Sequence, residues 1–449
     1  MDVLKYHKEI YDPIHGTYIK ITRLAMLFID TPQFQRLRYL HQLGPCYFIF
    51  PSATHTRFEH SLGTYYLAGR VLDSIKNNSD ESIINLYLKD IPELKKYYAN
   101  RTITLDPYIC ELIKIGGLCH DIGHGPYSHV FDDVFLKNVG TGKCPLEFHE
   151  ARSEYFVKYI VKNNDILKNI ITNDQIDFIS TLINPSKKNS GFIYQIVSNS
   201  FNSIDVDKFD YLCRDTHYLG LKYSIDANRL IEDMKVIDNK ICFPDKLNYD
   251  IVSLFKTRYR LHKQIYCHKA VISIQFMIND IMILLNDIIG IYDSIKDPEK
   301  FTDLTDEYII THLKILTKNI NNYDENTKNK IMEANAIWQR INCRDLYKLM
   351  HTLVSKNQLD TDKITKNIDL TKLRIFKSKI GFVSGSKDNP LNHVFYYNKQ
   401  NSNICGIETT EHISFLVSKI YQEYIYMYFL INKDSDIINK LKQNIINDV

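Results

Sequence analysis

No two of the nine cysteines stand at a C-x-x-C spacing, and they form no even framework. This argues against a disulfide scaffold and leaves buried free thiols of a reducing compartment as the reading. The N-terminus, MDVLKYHKEIYDP, has no apolar signal core. No apolar run is long and pure enough to span a bilayer. The most apolar stretch, residues 271–292, is cut by Asn279-Asp280 and Asn286-Asp287 at a spacing of seven. That pattern marks a buried amphipathic helix with a polar face. Charge of one sign is missing as well: 56 basic and 53 acidic residues leave a formal +3. Such a balance disfavours a dedicated nucleic-acid binder but leaves room for a local basic site for phosphates. Internal repeats and low-complexity tracts are absent. These absences predict a soluble intracellular protein, of cytoplasm or nucleus, with no membrane partner and no expected nucleic-acid partner.

What is present is a chain of 449 residues with an ordinary hydrophobic fraction of 44%, enough for one large domain or two. Helical spacing recurs over residues 21–43, where Asp30-Thr31-Pro32 breaks one helix and caps the next. It returns over 54–72, 106–119 and 149–163, over 192–215 as a helix or helix pair, and over 247–292 as one or two long core helices. Residues 11–16 (YDPIHG) are turn-like. Residues 44–52 read as an extended loop, 74–100 as a surface helix pair, 137–145 as a loop and 184–190 as an exposed turn. A short hairpin is expected at 237–243. Beyond about 300 the texture changes: β-like runs at 373–382 and 393–397 flank a turn-rich loop at 383–389, and a closing helix is expected over 413–430. The fold class predicted is mainly α, with a helical core over 1–300 and a smaller C-terminal α+β lobe over 301–449.

The most informative stretch is LCHDIGHGPYSH, residues 118–129. His120, Asp121, His124 and His129 fall within ten residues, with Gly123, Gly125 and Pro126 between them. Imidazole and carboxylate suit Zn, Fe, Mn or Co, and glycines let the backbone turn where a helix ends. A metal site needs ligands from several helices. His60 in RFEHSLG and Asp207 in SIDVDKFDYLCRD are candidates; either alone reads more often as a satisfied polar residue. With His120 and Asp121 they make a His-His-Asp-Asp set suited to a hydrolytic metal.

The ordered set His60, His120-Asp121 and Asp207 resembles the H…HD…D signature of HD-domain phosphohydrolases. The longer motifs FQRLRYLHQLG, RFEHSLG, GLCHDIGHGPYSH, DVDKFDYLCRD and NPLNHVFYY resemble those of the HD-domain deoxynucleoside triphosphate triphosphohydrolases, closest to the animal members that carry a sterile α motif. The likeness runs from about Asp12 into the C-terminal lobe. The sterile α motif itself is expected to be missing, the sequence starting at the catalytic region.

The resemblance implies an HD-domain core and hydrolysis of a dNTP to deoxynucleoside and inorganic triphosphate. A divalent metal (Fe, Mn, Zn or Mg) would sit on His60, His120, Asp121 and Asp207, and a second Mg could arrive with substrate. A departing alkoxide needs a proton, for which His129 is the first candidate and His124 the second. Asp132 and His149 would orient or relay. Similarity places Arg57, Lys208 and Arg258 on the phosphates. Gln42, Leu43 and Tyr266 would wall off a 2′-hydroxyl, with Tyr211 and Asp215 near the sugar. Cys267 stands where the family often has glutamine. The family also implies a homodimer or homotetramer activated by GTP and dNTPs bound between subunits. Asp30, Gln35, Arg36 and Arg38 match one such pocket, and Lys8, Arg229, Lys246 and Lys269 fall near the others. Glu9 and Asp250 depart from that pattern, and residues 401–412 hold no Lys or Arg; added carboxylate and lost cation weaken polyphosphate binding. Two alternatives remain: another HD phosphohydrolase, such as a nucleotidase or nuclease, or a non-catalytic binder of nucleotides or single-stranded nucleic acid.

Overall fold

Apolar residues recurring every three to four positions need a buried face, and the long helices supply one another with it. The computed structural model describes residues 2–448 except 187, 383–388, 408–412, 414–419 and 433. A hairpin opens the chain, β1 (Tyr6–Asp12) pairing antiparallel with β2 (Thr17–Thr22). Then come α1 (Arg23–Ile29), α2 (Arg57–Asn78), α3 (Pro107–Cys119), α4 (His149–Asn163), α5 (Asn173–Ile183), α6 (Val206–Tyr218), α7 (Asn248–Leu261) and α8 (Lys269–Ile289). Next are α9 (Asp306–Lys318) and α10 (Glu325–Asn342), and a last helix, α11 (Ser435–Asp448), ends the chain. Shorter helical turns connect them.

The local chemistry explains most boundaries. Asp106 caps α3 by accepting from the amides of Tyr108 and Ile109, with Pro107 in the first turn. Thr56 and Glu59 form a capping box at the start of α2. Asp205 accepts from the Lys208 amide and starts α6. Where α2 crosses α3, Thr64 donates to the Gly117 carbonyl at 2.8 Å. A Cβ on Gly117 would stand 3.2 Å from the Thr64 carbonyl oxygen, so the glycine sets how closely the two helices approach.

Helix α8 is long and apolar enough to cross a membrane by length and composition, with a mean hydropathy of 1.5, but 61% of that window is buried inside the fold. Its polar face has a use: Asp280 accepts from the Tyr347 hydroxyl and from Arg374. A buried carboxylate paired in this way belongs to a protein interior rather than to lipid.

The later strands form two further sheets. β3 (Lys235–Ile237) and β4 (Lys240–Pro244) join β7 (Phe395–Asn398) and β8 (Asn401–Ile407), with β4 parallel to β7. β5 (Lys348–Ser355) and β6 (Leu373–Gly381) flank β9 (Gln422–Leu430), all antiparallel. A mainly helical core with an α+β C-terminal region is the observed class. One continuous apolar cluster runs from the hairpin through α10 to parts of β6, β7 and β9, and a second lies between β9 and α11.

Several expectations are corrected. The turn-like residues 11–16 include the tip of a hairpin whose strands were not anticipated, because β1 is exposed over most of its length and β2 shows only one alternating buried pair, Ile19 and Ile21. Residues 44–52 are not extended: Gly44–Phe48 is a 3-10 turn. The helical period over 192–215 divides into a 3-10 turn at Phe192–Gln195 and α6. Of the closing helix expected over 413–430, Ile413 is helical, 414–419 lie outside the described residues, and 422–430 form the central strand β9 instead. Its run QEYIYMYFL is aromatic and apolar from Tyr424 onward, as suits a strand flanked on both edges. Most of the loop expected at 383–389 also lies outside the described residues. All nine cysteines are free thiols.

Candidate active site

The C-terminal end of α3 delivers His120 and Asp121, the first turn of α2 delivers His60, and the first turn of α6 delivers Asp207. His60 Nε2 lies 3.3 Å from His120 Nε2 and 3.3 Å from Asp207 Oδ1. It is 3.5 Å from Asp121 Oδ2. His120 Nε2 is 3.3 Å from Asp121 Oδ1 and 3.5 Å from Asp207 Oδ1. Four ligands placed about 2.1 Å from a tetrahedral centre stand about 3.4 Å from one another, so these spacings fit a single ion. His60, His120 and Asp121 form a buried cluster able to hold a divalent metal.

The tautomers agree with that use. His120 Nδ1 meets the Gly117 carbonyl at 2.7 Å. A carbonyl only accepts, so Nδ1 carries the proton and Nε2 presents its lone pair. His60 Nδ1 likewise meets Asp210 Oδ2 at 2.7 Å. Burial works against charge on Asp121 and Asp207. The neighbouring imidazoles, with Arg57 beside Asp121 and Lys208 beside Asp207, outweigh it and hold both carboxyls well below their usual range. Burial pulls His60 down, yet its bonds to Asp207 and Asp210 push it up to about 10. Two ionised carboxylates and an imidazole that retains its proton mark a centre that attracts cations, where metal and proton compete for Nε2.

Beyond Asp121 the chain turns sharply through GHGPYSH. Tyr127 and Ser128 both take φ of 57°, a left-handed conformation uncommon for residues with a side chain. Contacts from outside hold it there: the Tyr127 amide donates to Asp306, and Ser128 donates to the His41 carbonyl at 2.8 Å. A π turn, Val130–Phe135, follows. The loop thus brings His124 and His129 together, ring centroids 5.3 Å apart, with His149 stacked on His124 at 3.9 Å.

These two histidines differ. His124 is buried, with Nδ1 on Asp132 at 2.6 Å and Nε2 3.4 Å from Asp121 Oδ1; Asp132 is in turn paired with Arg152. His129 has a side chain 64% exposed, with Nδ1 on Asp133 at 3.0 Å. Among the described residues its Nε2 has no hydrogen-bond partner. Desolvation pulls the His129 pKa down and the Asp133 bond more than reverses this, so the net shift is upward. His149 is shifted strongly down, first by burial and then by the charge of His124.

Cations line the same cleft. Arg57 is buried and pairs with Asp121, its Nε donating to Ser128 Oγ at 2.9 Å. Lys208 Nζ lies 3.3 Å from Asp205. Arg258 donates to the Gly381 carbonyl at 2.6 Å. Lys208 and Arg258 both act electrostatically on Tyr211 and on His262. His262 was not anticipated. Burial first, and then Arg258, His129 and Lys208, hold it well below its ordinary value, which places a neutral imidazole among the cations. Residues expected at the sugar are linked in a chain. The Gln42 amide donates to the His55 carbonyl at 2.9 Å, His55 Nε2 meets Asp215 at 2.7 Å, and the Tyr266 hydroxyl donates to the other Asp215 oxygen. Leu43 is half-buried beside them. Gln42 Oε1 is buried without a partner.

The residues expected at effector pockets are not equivalent. Lys8, Asp30, Arg38 and Lys269 are exposed, and Gln35 is half-buried, donating to the Ile29 carbonyl. Arg229 lies 3.5 Å from Asp250, and Lys246 lies 2.6 Å from Asp233. Arg36 differs from all of them: it is 3% exposed and donates to the carbonyls of Leu304, Ile122 and His124 at 3.1, 3.4 and 2.5 Å. Burial and then Arg152 lower its pKa to about 9. Arg36 braces the backbone beside His124. Replacing it with alanine should leave those buried carbonyls without donors and cost about 3 kcal/mol. Urea unfolding checks this; an effector contact alone would leave the midpoint in place.

Some residues that shape the site were not anticipated: Asp12, His15, Asp210 and Arg214 behind His60, Asp133 on His129, and Asp306 under the loop. Asp210 was legible in principle, since it lies three residues after Asp207 on the same helix. Asp306 was not, because its partners are 179 and 265 residues away.

Comparison with known proteins agrees with this geometry. Residues 57–215 match the HD domain family. The chain is 38% identical, over 97% of its own length and 94% of the relative's, to a putative HD domain-containing protein of Acanthamoeba polyphaga mimivirus. It is 34% identical to the deoxynucleoside triphosphate triphosphohydrolase SAMHD1 homolog of Dictyostelium discoideum, covering 93% of this chain and 76% of that one. Against the human deoxynucleoside triphosphate triphosphohydrolase SAMHD1 it is 32% identical, covering 93% and 69%.

Proposed function

Because this chain belongs to the SAMHD1-like HD-domain deoxynucleoside triphosphate triphosphohydrolases and is a hydrolase of that family, we propose that it hydrolyses dNTPs to deoxynucleoside and inorganic triphosphate. The observation that carries the proposal is that Asp121 and Asp207 each lie 3.3–3.5 Å from both His60 and His120, near an exposed histidine, His129. A divalent ion held there supplies Lewis-acid polarisation of a phosphate oxygen and a lowered water pKa.

The remaining work falls to the side chains. Arg57, Lys208 and Arg258 bind the polyphosphate, whose roughly four negative charges need several cations. Water attacks the α-phosphorus and the bond to the 5′ oxygen breaks, leaving the triphosphate on the protein's cations. His129 hands its Nε2 proton to the 5′ oxygen. His124, both of whose nitrogens face carboxylates, orients Asp121 with Asp132 and His149 behind it. Gln42, Leu43 and Tyr266 close the sugar pocket, with Tyr211 and Asp215 beside them, so that an added 2′-hydroxyl finds neither room nor partner.

Assembly as a homodimer or homotetramer and activation by GTP or dNTPs belong to the same proposal, as does a division between a core over 1–300 and a lobe over 301–449. An effector phosphate near Arg229 or Lys246 competes with Asp250 or Asp233 for its cation, so activation should need higher nucleotide concentrations as salt rises. The deciding assay supplies dNTPs and NTPs with Mn or Mg, with and without GTP, and identifies the products. Tripolyphosphate from dNTPs is expected; orthophosphate or pyrophosphate alone would show the reaction class to be wrong.

A further inference from the structure

The metal ligand His60 is backed by a carboxylate that the N-terminal hairpin helps to hold. Asp210 is fully buried and both of its oxygens are engaged. Oδ2 accepts from His60 Nδ1 at 2.7 Å and from Arg214 Nε at 2.8 Å. Oδ1 accepts from Arg214 at 2.9 Å and from His15 Nε2 at 2.7 Å. Arg214 reaches on to Asp12 Oδ2 at 2.7 Å. The other Asp12 oxygen accepts from the amides of Ile14 and His15, which folds the turn that aims His15 inward. Helix α2 leaves room for the arrangement: a Cβ on Gly63, one turn after His60, would stand 1.8 Å from Asp210 Oδ1. Three segments distant in sequence, the hairpin tip, α2 and α6, therefore meet on one carboxylate behind one ligand.

We propose that His15 and Asp12 are positioning residues for the metal centre, acting on His60 through Asp210. The inference rests on the reading of His60 as a metal ligand. A carboxylate behind a ligating imidazole fixes its tautomer and ring angle and raises its basicity. Asp210 can do so only while its own two oxygens are pinned. Without His15, Asp210 keeps its two-bond fork with Arg214 but loses the second donor on Oδ1, so the carboxylate can shift within that fork and lengthen its bond to His60 Nδ1. The coupling is reciprocal: an ion on Nε2 tightens the His60–Asp210 bond, and through it the hold of His15 on the hairpin.

The test titrates Co2+ into chelator-stripped full-length protein and follows visible absorption, with no substrate present. His15→Ala is expected to bind Co2+ about 10–100-fold more weakly, and His15→Gln, which restores a donor toward Asp210, to recover most of the loss. A second measurement does not depend on the alanine variant folding: in the wild type, amide hydrogen exchange across the hairpin Tyr6–Thr22 should slow when Co2+ binds. Wild-type affinity in His15→Ala overturns the proposal, as does hairpin exchange indifferent to the ion. A His60→Ala control separates the two levels of the argument. If that variant binds Co2+ as the wild type does, His60 is no ligand and the metal reading itself fails.

Discussion

Asp207→Ala should abolish measurable triphosphate release while leaving the metal-free protein folded. Asp207 lies in the first turn of α6, but the helix cap is Asp205, whose side chain accepts from the Lys208 amide. The substitution therefore removes a carboxylate from the centre without unpinning the helix. What is lost is one of the two anions that offset the desolvation of a divalent ion, together with a single oxygen that lies within 3.5 Å of both His60 and His120. Burial would push down the pKa of both imidazoles, and it is their carboxylate neighbours that raise them. With Asp207 gone, the site loses attraction for protons and metal alike. Metal content by elemental analysis should fall with the activity, and the melting temperature of the chelator-treated form should stay near that of the wild type. Retention of even a tenth of the activity would remove Asp207 from the centre.

His129→Ala is expected to slow turnover by about 10²–10⁴-fold, with metal binding intact. The side chain touches none of the four ligands and has its outer nitrogen free among the described residues, so its loss removes a proton donor and little else. The pH profile gives the sign. His129 acts in its protonated form, and its pKa lies above the ordinary 6.5, desolvation being outweighed by the Asp133 bond. Activity should fall on the alkaline side as pH passes that raised value. Asp133→Asn removes that support, so the fall should move to lower pH. A triphosphate ester of a nitrophenol, whose leaving oxygen needs no proton, should be cleaved almost equally by wild type and His129→Ala. If the variant is as impaired on that ester as on dNTP, the histidine is not the acid. His124→Ala provides a contrast, because its ring meets Asp121 and stacks on His149; there metal binding should weaken as well.

Much of the helical core was readable from period and caps. Asp106 and Pro107 announce α3, the apolar face of that helix needs burial, and the interrupted run over 271–292 needs a polar partner, which Tyr347 and Arg374 provide. The misreadings share a cause. The hairpin β1–β2 exposes Tyr6, Tyr11 and Tyr18, and only Ile19 and Ile21 of β2 alternate as buried apolar residues, too short a pattern to mark it. β9 is aromatic and apolar from Tyr424 to Leu430, and for so short a run periodicity does not separate a strand from a buried helix. Pairing with β5 and β6 decided it, and that pairing spans up to 82 residues of chain, from Lys348 to Leu430.

By itself the sequence determined a His-Asp cluster with the chemistry to hold a divalent ion, because residue type and local spacing bear directly on ligand preference and helix ends; the cations expected to face a polyphosphate came from the family resemblance. Only the tertiary structure decided that His129 is exposed while His124 is buried, that Arg36 supports the loop, and that a hairpin tip reaches the carboxylate behind His60. Those outcomes depend on partners up to 268 residues away, as with Arg36 and Leu304. Hydrogen-bond reach is about 3 Å, and whether two groups come within it is settled by how helices pack rather than by the residues beside them in the chain.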